Sequence, residues 1–127
     1  MSKECLNPMN APAGGPPYSP AVSAGGFIYI SGQGPMAQDH SGVVHGTFEE
    51  ETRLTLDNVK SMVEGVGATM DQVVKTTVFL ADMDNFGAFN KIYAEYFPEN
   101  PPARSCVQVA RLPLDFQVEV EAIVQCS

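Results

Sequence analysis

Basic residues are scarce in this chain: seven lysines and arginines stand against fifteen aspartates and glutamates, a formal net charge of −8. That balance repels a phosphate backbone unless the positive charges are gathered in one place. Lys3, Arg53, Lys60, Lys75, Lys91, Arg104 and Arg111 instead occur singly, with no basic stripe interleaved with aromatics, so nucleic acid is not an expected partner. Cysteine is sparse as well. Cys5, Cys106 and Cys126 are odd in number and lack C-x-x-C spacing, which points to free thiols and away from a disulfide framework or a zinc ribbon. His40 and His45 flank a glycine-containing turn with no acidic partner at helical spacing, and no structural or catalytic metal is expected. No apolar run approaches a membrane span. Residues 1–8 lack the apolar core of a secretory signal, so the expectation is a cytoplasmic protein with no membrane partner.

What is present suits one soluble domain over residues 1–127, with 44% hydrophobic and 17% charged residues. Five of the ten prolines fall in the first twenty residues. This predicts an extended or turn-rich arm, neither a helix nor a central strand, because proline lacks an amide donor and fixes φ. Ala21–Ala24 and Phe27–Ser31 around Gly25-Gly26 read as a hairpin. Gly32-Gln33-Gly34-Pro35 then leads the chain out of the sheet, without the lysine and glycine pattern of a phosphate loop.

Thr47-Phe48-Glu49-Glu50 is a capping-box signature, and the run Glu49–Glu51 suits the positive end of a helix. Thr52, Leu56, Val59, Val63 and Val66 form the stripe predicted to be buried, with Gly65 and Gly67 as the stop. Val73–Leu80 reads as a strand, in which strict alternation sets Val73 and Phe79 against Val74, Val78 and Leu80. Asp82 or Asp84 is the expected cap of a second helix. Its aromatic stripe is Phe86, Phe89, Tyr93 and Tyr96, joined by Phe97 and ended at Pro98, with Asn90 off the stripe.

The order hairpin, helix, strand, helix, strand, strand is that of an α+β domain, two helices packed on one face of a mixed sheet. Both faces of the predicted sheet carry apolar groups. Copies of the chain are therefore expected to cover each other in a closed homo-oligomer.

The candidate chemistry sits at the end of the chain. Pro101-Pro102-Ala103-Arg104-Ser105-Cys106-Val107 places an arginine at the mouth of one strand. In the alternating run Phe116–Val124, Glu119 and Glu121 share one face with Gln117 and Ile123. A guanidinium grips a small carboxylate through two parallel hydrogen bonds, and a nearby glutamate can hold or activate a water. On spacing alone two readings stand: Glu119 pairs with a cation such as Arg104, or it lines a wet cleft.

Gly32-Gln33 after an Ile-Ser strand end, Leu56–Lys60, Val74–Phe79, Pro102–Val107 with Val109–Pro113, and Val118–Ala122 together resemble the RidA (YjgF/YER057c/UK114) family of enamine/imine deaminases. The resemblance spans nearly the whole chain and is most specific in Pro-Ala-Arg-Ser-Cys-Val followed by Glu-x-Glu, as in the RidA subgroup. It implies a chorismate-mutase-like fold assembled as a homotrimer, with a barrel-like sheet core and clefts between subunits. It also implies hydrolysis of 2-enamine and 2-imino acids such as 2-aminoacrylate and 2-iminobutanoate to 2-keto acids and ammonia, with no cofactor. By that resemblance Arg104 would clamp the substrate carboxylate, Glu119 would position or activate the attacking water, and the backbone at Cys106 would help hold it. Tyr18, Ser31, Gly32 and Asn90 match substrate-contacting positions. The arm departs from the family through an extra proline before Tyr18, and the loop 39–46 follows no fixed family pattern. Two other classes remain open: an endoribonuclease or translation inhibitor, a label some members carry, and a small-acid-binding or chaperone-like module without turnover.

Overall fold

A computed structural model describes residues 2–126. Its strands are β1 (Glu4–Leu6), β2 (Ala21–Ala24), β3 (Phe27–Gln33), β4 (Val73–Leu80), β5 (Ala103–Gln108) and β6 (Val118–Gln125), and its helices are α1 (Phe48–Gly65) and α2 (Phe86–Tyr96). The six strands form one mixed sheet in the order β1-β2-β3-β6-β4-β5. All neighbours are antiparallel except β4 and β5.

Local chemistry accounts for most elements. Gly25 and Gly26, at φ 60° and 85°, supply the two left-handed residues that let a two-residue turn follow the twist of β2 and β3. At α1 both halves of the capping box form: Glu50 N donates to Thr47 Oγ1 at 3.1 Å, and Thr47 N donates to Glu50 Oε1 at 2.8 Å. Gly67 follows at φ 87°, where a side chain would be strained.

The core lies between the helices and one sheet face. Leu56, Val59, Met62 and Val63 of α1 and Phe89, Ile92 and Tyr93 of α2 pack on Ile28, Ile30, Val78, Leu80, Val118, Val120, Ala122 and Val124. Val66 is the C-cap of α1 and only partly buried, and Met62 fills the stripe in its place.

Several expectations are corrected. Strict alternation along β4 fails at its start, where the register against β6 jumps from Val73↔Val124 to Lys75↔Ile123. The bulge inserts Val74 as an extra residue. Val73 therefore joins Thr76, Val78 and Leu80 on the covered face, and Val74 is exposed. The arm itself is, as expected, neither helix nor central strand, and ahead of its first proline it adds a short edge strand, β1, paired with β2. Asp82 accepts from Asp84 N at 2.9 Å and caps a 3-10 turn, Met83–Asn85, that runs into α2, whose own N-cap Asn85 makes no side-chain cap bond. Finally, β6 begins at Val118, so Phe116 is a buried anchor ahead of the strand.

Candidate functional site

β5 forms one edge of the sheet beside β4, with Arg104 opposite Thr76. Thr76 is fully buried under the helices, so Arg104 points to the helix-covered side and lies against α2. Its guanidinium carbon is 4.9 Å from the ring centre of Tyr93, 5.5 Å from Phe86 and 5.7 Å from Phe89. These residues recur at three and four along α2, so one helix face offers Arg104 three rings. Each attracts a cation at this range. Among the described residues Arg104 has no carboxylate partner. The rings therefore hold the guanidinium while leaving its planar donor fork unpaired.

Cys106, two residues on, is on the same face and packs against the core. Burial pushes its thiol pKa up, opposed by Arg104. A thiol kept protonated is a poor nucleophile.

Glu119 belongs to the other face. It lies opposite Phe79 on β4, half-buried, with exposed Glu121 two residues on. Desolvation raises its pKa above the ordinary glutamate range, and the charge of Glu121 adds to the rise. Its carboxylate lies directly over the backbone of Gly32: a Cβ there would overlap Glu119 Oε2 and come within 2.8 Å of Cδ. Absence of a side chain at Gly32 is thus what lets β3 and the carboxylate approach.

Ser31 fixes the arm to the same spot. Its Oγ donates to Ser19 O at 2.7 Å and its N to Pro20 O at 3.0 Å. Tyr18, the residue before Ser19, is thereby held near β3, and it is 64% exposed. Glu119, Gly32, Ser31 and the Tyr18 segment are therefore one cluster, while Arg104 and Cys106 are another. Asn90, on α2, has its Oδ1 buried without a hydrogen-bond partner among the described residues, an uncommon state for a native acceptor.

No ion pair joins Arg104 to Glu119 among the described residues. Strand spacing explains why. The two positions are two strands and three residues apart, roughly 10 Å in each direction, and on opposite faces. The salt-bridge reading of Glu119 within one protomer is excluded by that geometry.

Two surface concavities lie away from both Arg104 and Glu119. One, about 380 Å³, lies between α1 and α2 at Lys60, Glu64, Met70, Glu95 and Tyr96. The other, about 120 Å³, lies on the uncovered face between Tyr29, Lys75, Thr77 and Glu121.

Two features are not legible in local sequence patterns. The stripe of Phe86, Phe89 and Tyr93 is visible in their spacing, but its use as a platform for Arg104 depends on the pairing of β5 with β4. Glu51 was grouped with Glu49 and Glu50 as a favourable charge at a helix start, yet it is 3% exposed. No local pattern distinguishes it from its neighbours.

The contact at Gly32 gives a direct test. Its backbone φ lies outside the left-handed region, so alanine is sterically allowed by the main chain and the flexible Glu119 side chain must yield. Gly32→Ala is expected to fold normally and to lower turnover by up to about 100-fold, the scale of an ångström-level misplacement. Unchanged turnover with a correctly folded variant would show that the position of Glu119 is not critical.

The profile of a family described as Endoribonuclease L-PSP matches residues 8–126. A RutC family protein of Pyrococcus horikoshii is 44% identical over 121 residues, 95% of this chain and 96% of its own length. The crystal structure of yeast Mmf1 has a TM-score of 0.90 at 39% identity, covering 99% of this chain and 100% of that one. That of Escherichia coli TdcF with bound serine has a TM-score of 0.88 at 35% identity, covering 98% and 99%. TdcF is provisionally described as a reactive intermediate deaminase.

Proposed function

The chain belongs to the endoribonuclease L-PSP family, the YjgF/RidA proteins, and on that premise we propose that it hydrolyses short 2-imino acids and their enamine tautomers to 2-keto acids and ammonia. The observation that carries this reading is a pair of opposite charges with no ion-pair partner among the described residues, Arg104 on one sheet face and Glu119 on the other. A protomer cannot close them on one small molecule. Two copies can, when the β5 edge of one meets the Gly32 and Glu119 cluster of the next. Support also comes from the uncovered sheet face, where Tyr29 is 46% exposed. The relative TdcF, solved with bound serine, supports a small amino-acid-like ligand. We take the assembly to be a homotrimer with its sheets facing the centre.

In this scheme Arg104 grips the substrate carboxylate and so orients the C2 carbon. Glu119, as carboxylate, takes a proton from water as the water oxygen adds to C2 and passes it to the imine nitrogen, which receives the C=N electron pair. The tetrahedral carbinolamine then collapses: Glu119 carries the hydroxyl proton to the nitrogen, the C–N bond breaks, ammonia leaves, and the oxygen forms the C=O bond of the keto acid. Water, imine, keto acid and ammonia balance without a redox partner.

RNA cleavage, the activity in the family's description, is disfavoured by the net charge of −8, which opposes approach of a polyanion.

The test generates 2-iminopropanoate in situ and follows its hydrolysis. Clear acceleration over buffer by a particle of three 13.6 kDa chains is the expected result. A monomer, or binding of a keto acid with no acceleration, would overturn the proposal, the second outcome in favour of a binding module.

A further inference from the structure

Glu51 is a buried carboxylate that the deamination scheme leaves without a role. Its Oε1 accepts from Gln117 N at 3.1 Å, and its Oε2 accepts from Gln117 Nε2 at 2.8 Å and Gly46 N at 3.2 Å. Gln117 Nε2 also donates to Gly46 O at 3.1 Å. His45 Nδ1 stands 3.9 Å from Oε2, on a ring that is 59% exposed. Burying an ionised carboxylate is costly unless hydrogen bonds replace water, and here three N–H donors do so.

The placement of these donors is the informative part. Gln117 is the residue just before β6, two positions ahead of Glu119. Its carbonyl is held from the other side by Ala81 N at 3.1 Å, at the end of β4. Both backbone polar groups and the side chain of Gln117 are thus fixed, two of the three through Glu51. Phe116, next to it, packs its ring over Gly34, where a Cβ would come within 2.6 Å of Cδ2. Gly34 O in turn accepts from Asn58 Nδ2 at 3.0 Å. α1 therefore grips both strands that make the Glu119 cluster: β6 through Glu51 and the end of β3 through Asn58. A carboxylate suits the first task because it only accepts, so it can meet three donors at once. An amide in its place would turn an NH2 toward one of them.

We infer that Glu51 is a positioning residue that sets the entry of β6 and thereby aims Glu119 at the reacting centre, an inference that rests on the proposed deamination. It touches neither substrate nor water in that scheme. Its effect passes through Glu119.

The experiment measures kcat and KM for 2-iminopropanoate in the wild type, Glu51→Gln, Glu119→Gln and the double variant, with assembly checked by mass. Glu51→Gln is expected to lower kcat about tenfold through a displaced Glu119, with KM and assembly retained. In the Glu119→Gln background the same substitution is expected to add almost nothing, because residues acting as one unit are not additive. Wild-type kcat in Glu51→Gln, or a loss that multiplies with that of Glu119→Gln, would overturn the inference in favour of a structural role. Should Glu51→Gln fail to fold, Gln117→Ala removes one of the three bonds. It is expected to lower kcat by about threefold with the same lack of additivity, and unchanged kcat there overturns the inference. An inactive wild type would bring down the deaminase reading and this inference with it, whereas an active wild type with an indifferent Glu51→Gln brings down this inference alone.

Discussion

Arg104→Lys is expected to keep the fold and the assembly and to lower kcat/KM for a 2-imino acid by about 10- to 100-fold, the equivalent of one charge-assisted hydrogen bond at about 1.5–3 kcal/mol. The positive charge survives this substitution. What is lost is the planar fork that meets both carboxylate oxygens, together with the stacking of a flat cation on Tyr93, Phe86 and Phe89. Lysine ends in a flexible point charge that the rings cannot hold in one orientation. Since Arg104 bonds no carboxylate among the described residues, little stability depends on an ion pair there, and the melting temperature should move little. Full activity in a properly assembled Arg104→Lys would mean that the carboxylate is recognised elsewhere.

Glu119→Gln should have the largest effect on the chemical step. Loss of a general acid–base group lowers rates by about 10²- to 10⁴-fold, and the amide is close enough in shape to occupy the space over Gly32. The drop is expected in kcat, with KM and assembly nearly unchanged. The pH dependence provides a second signature. Desolvation, then Glu121, raises the pKa of Glu119, so on descending pH the active carboxylate is protonated earlier than an ordinary glutamate. The acid limb of kcat/KM should therefore fall at a pH above the usual glutamate range and disappear in the residual activity of Glu119→Gln. The linkage to folding has the matching sign: with a raised folded pKa, the folded chain binds this proton more tightly than the unfolded one. Ionisation of Glu119 thus costs stability as pH rises through its folded pKa, and the cost is absent when pH is below both values. An acid limb that persists unaltered in Glu119→Gln would assign the titration to another group and remove the proposed base.

The two residues chosen from the sequence are thus the two whose substitution is expected to matter most, but their relation to each other changed once the fold was known. Alternation along 118–124 correctly gave Glu119 and Glu121 a common face, and Pro102–Val107 correctly marked a strand carrying Arg104. Neither pattern says which strand lies between them. Insertion of β4 between β6 and β5, with its own register to each, is what separates the charges within the protomer.

Local patterns by themselves determined the hairpin turn at Gly25-Gly26, the capping box at Thr47 and Glu50, and the aromatic face of α2, because each depends on residues within one or two turns of each other. Tertiary structure alone decided the bulge at Val74, the pairing of β1, the approach of Gly32 to Glu119 and the burial of Glu51. In each of these the deciding partner is far away along the chain, as Gln117 is for Glu51, so its free energy contribution appears only when distant strands and α1 have packed together.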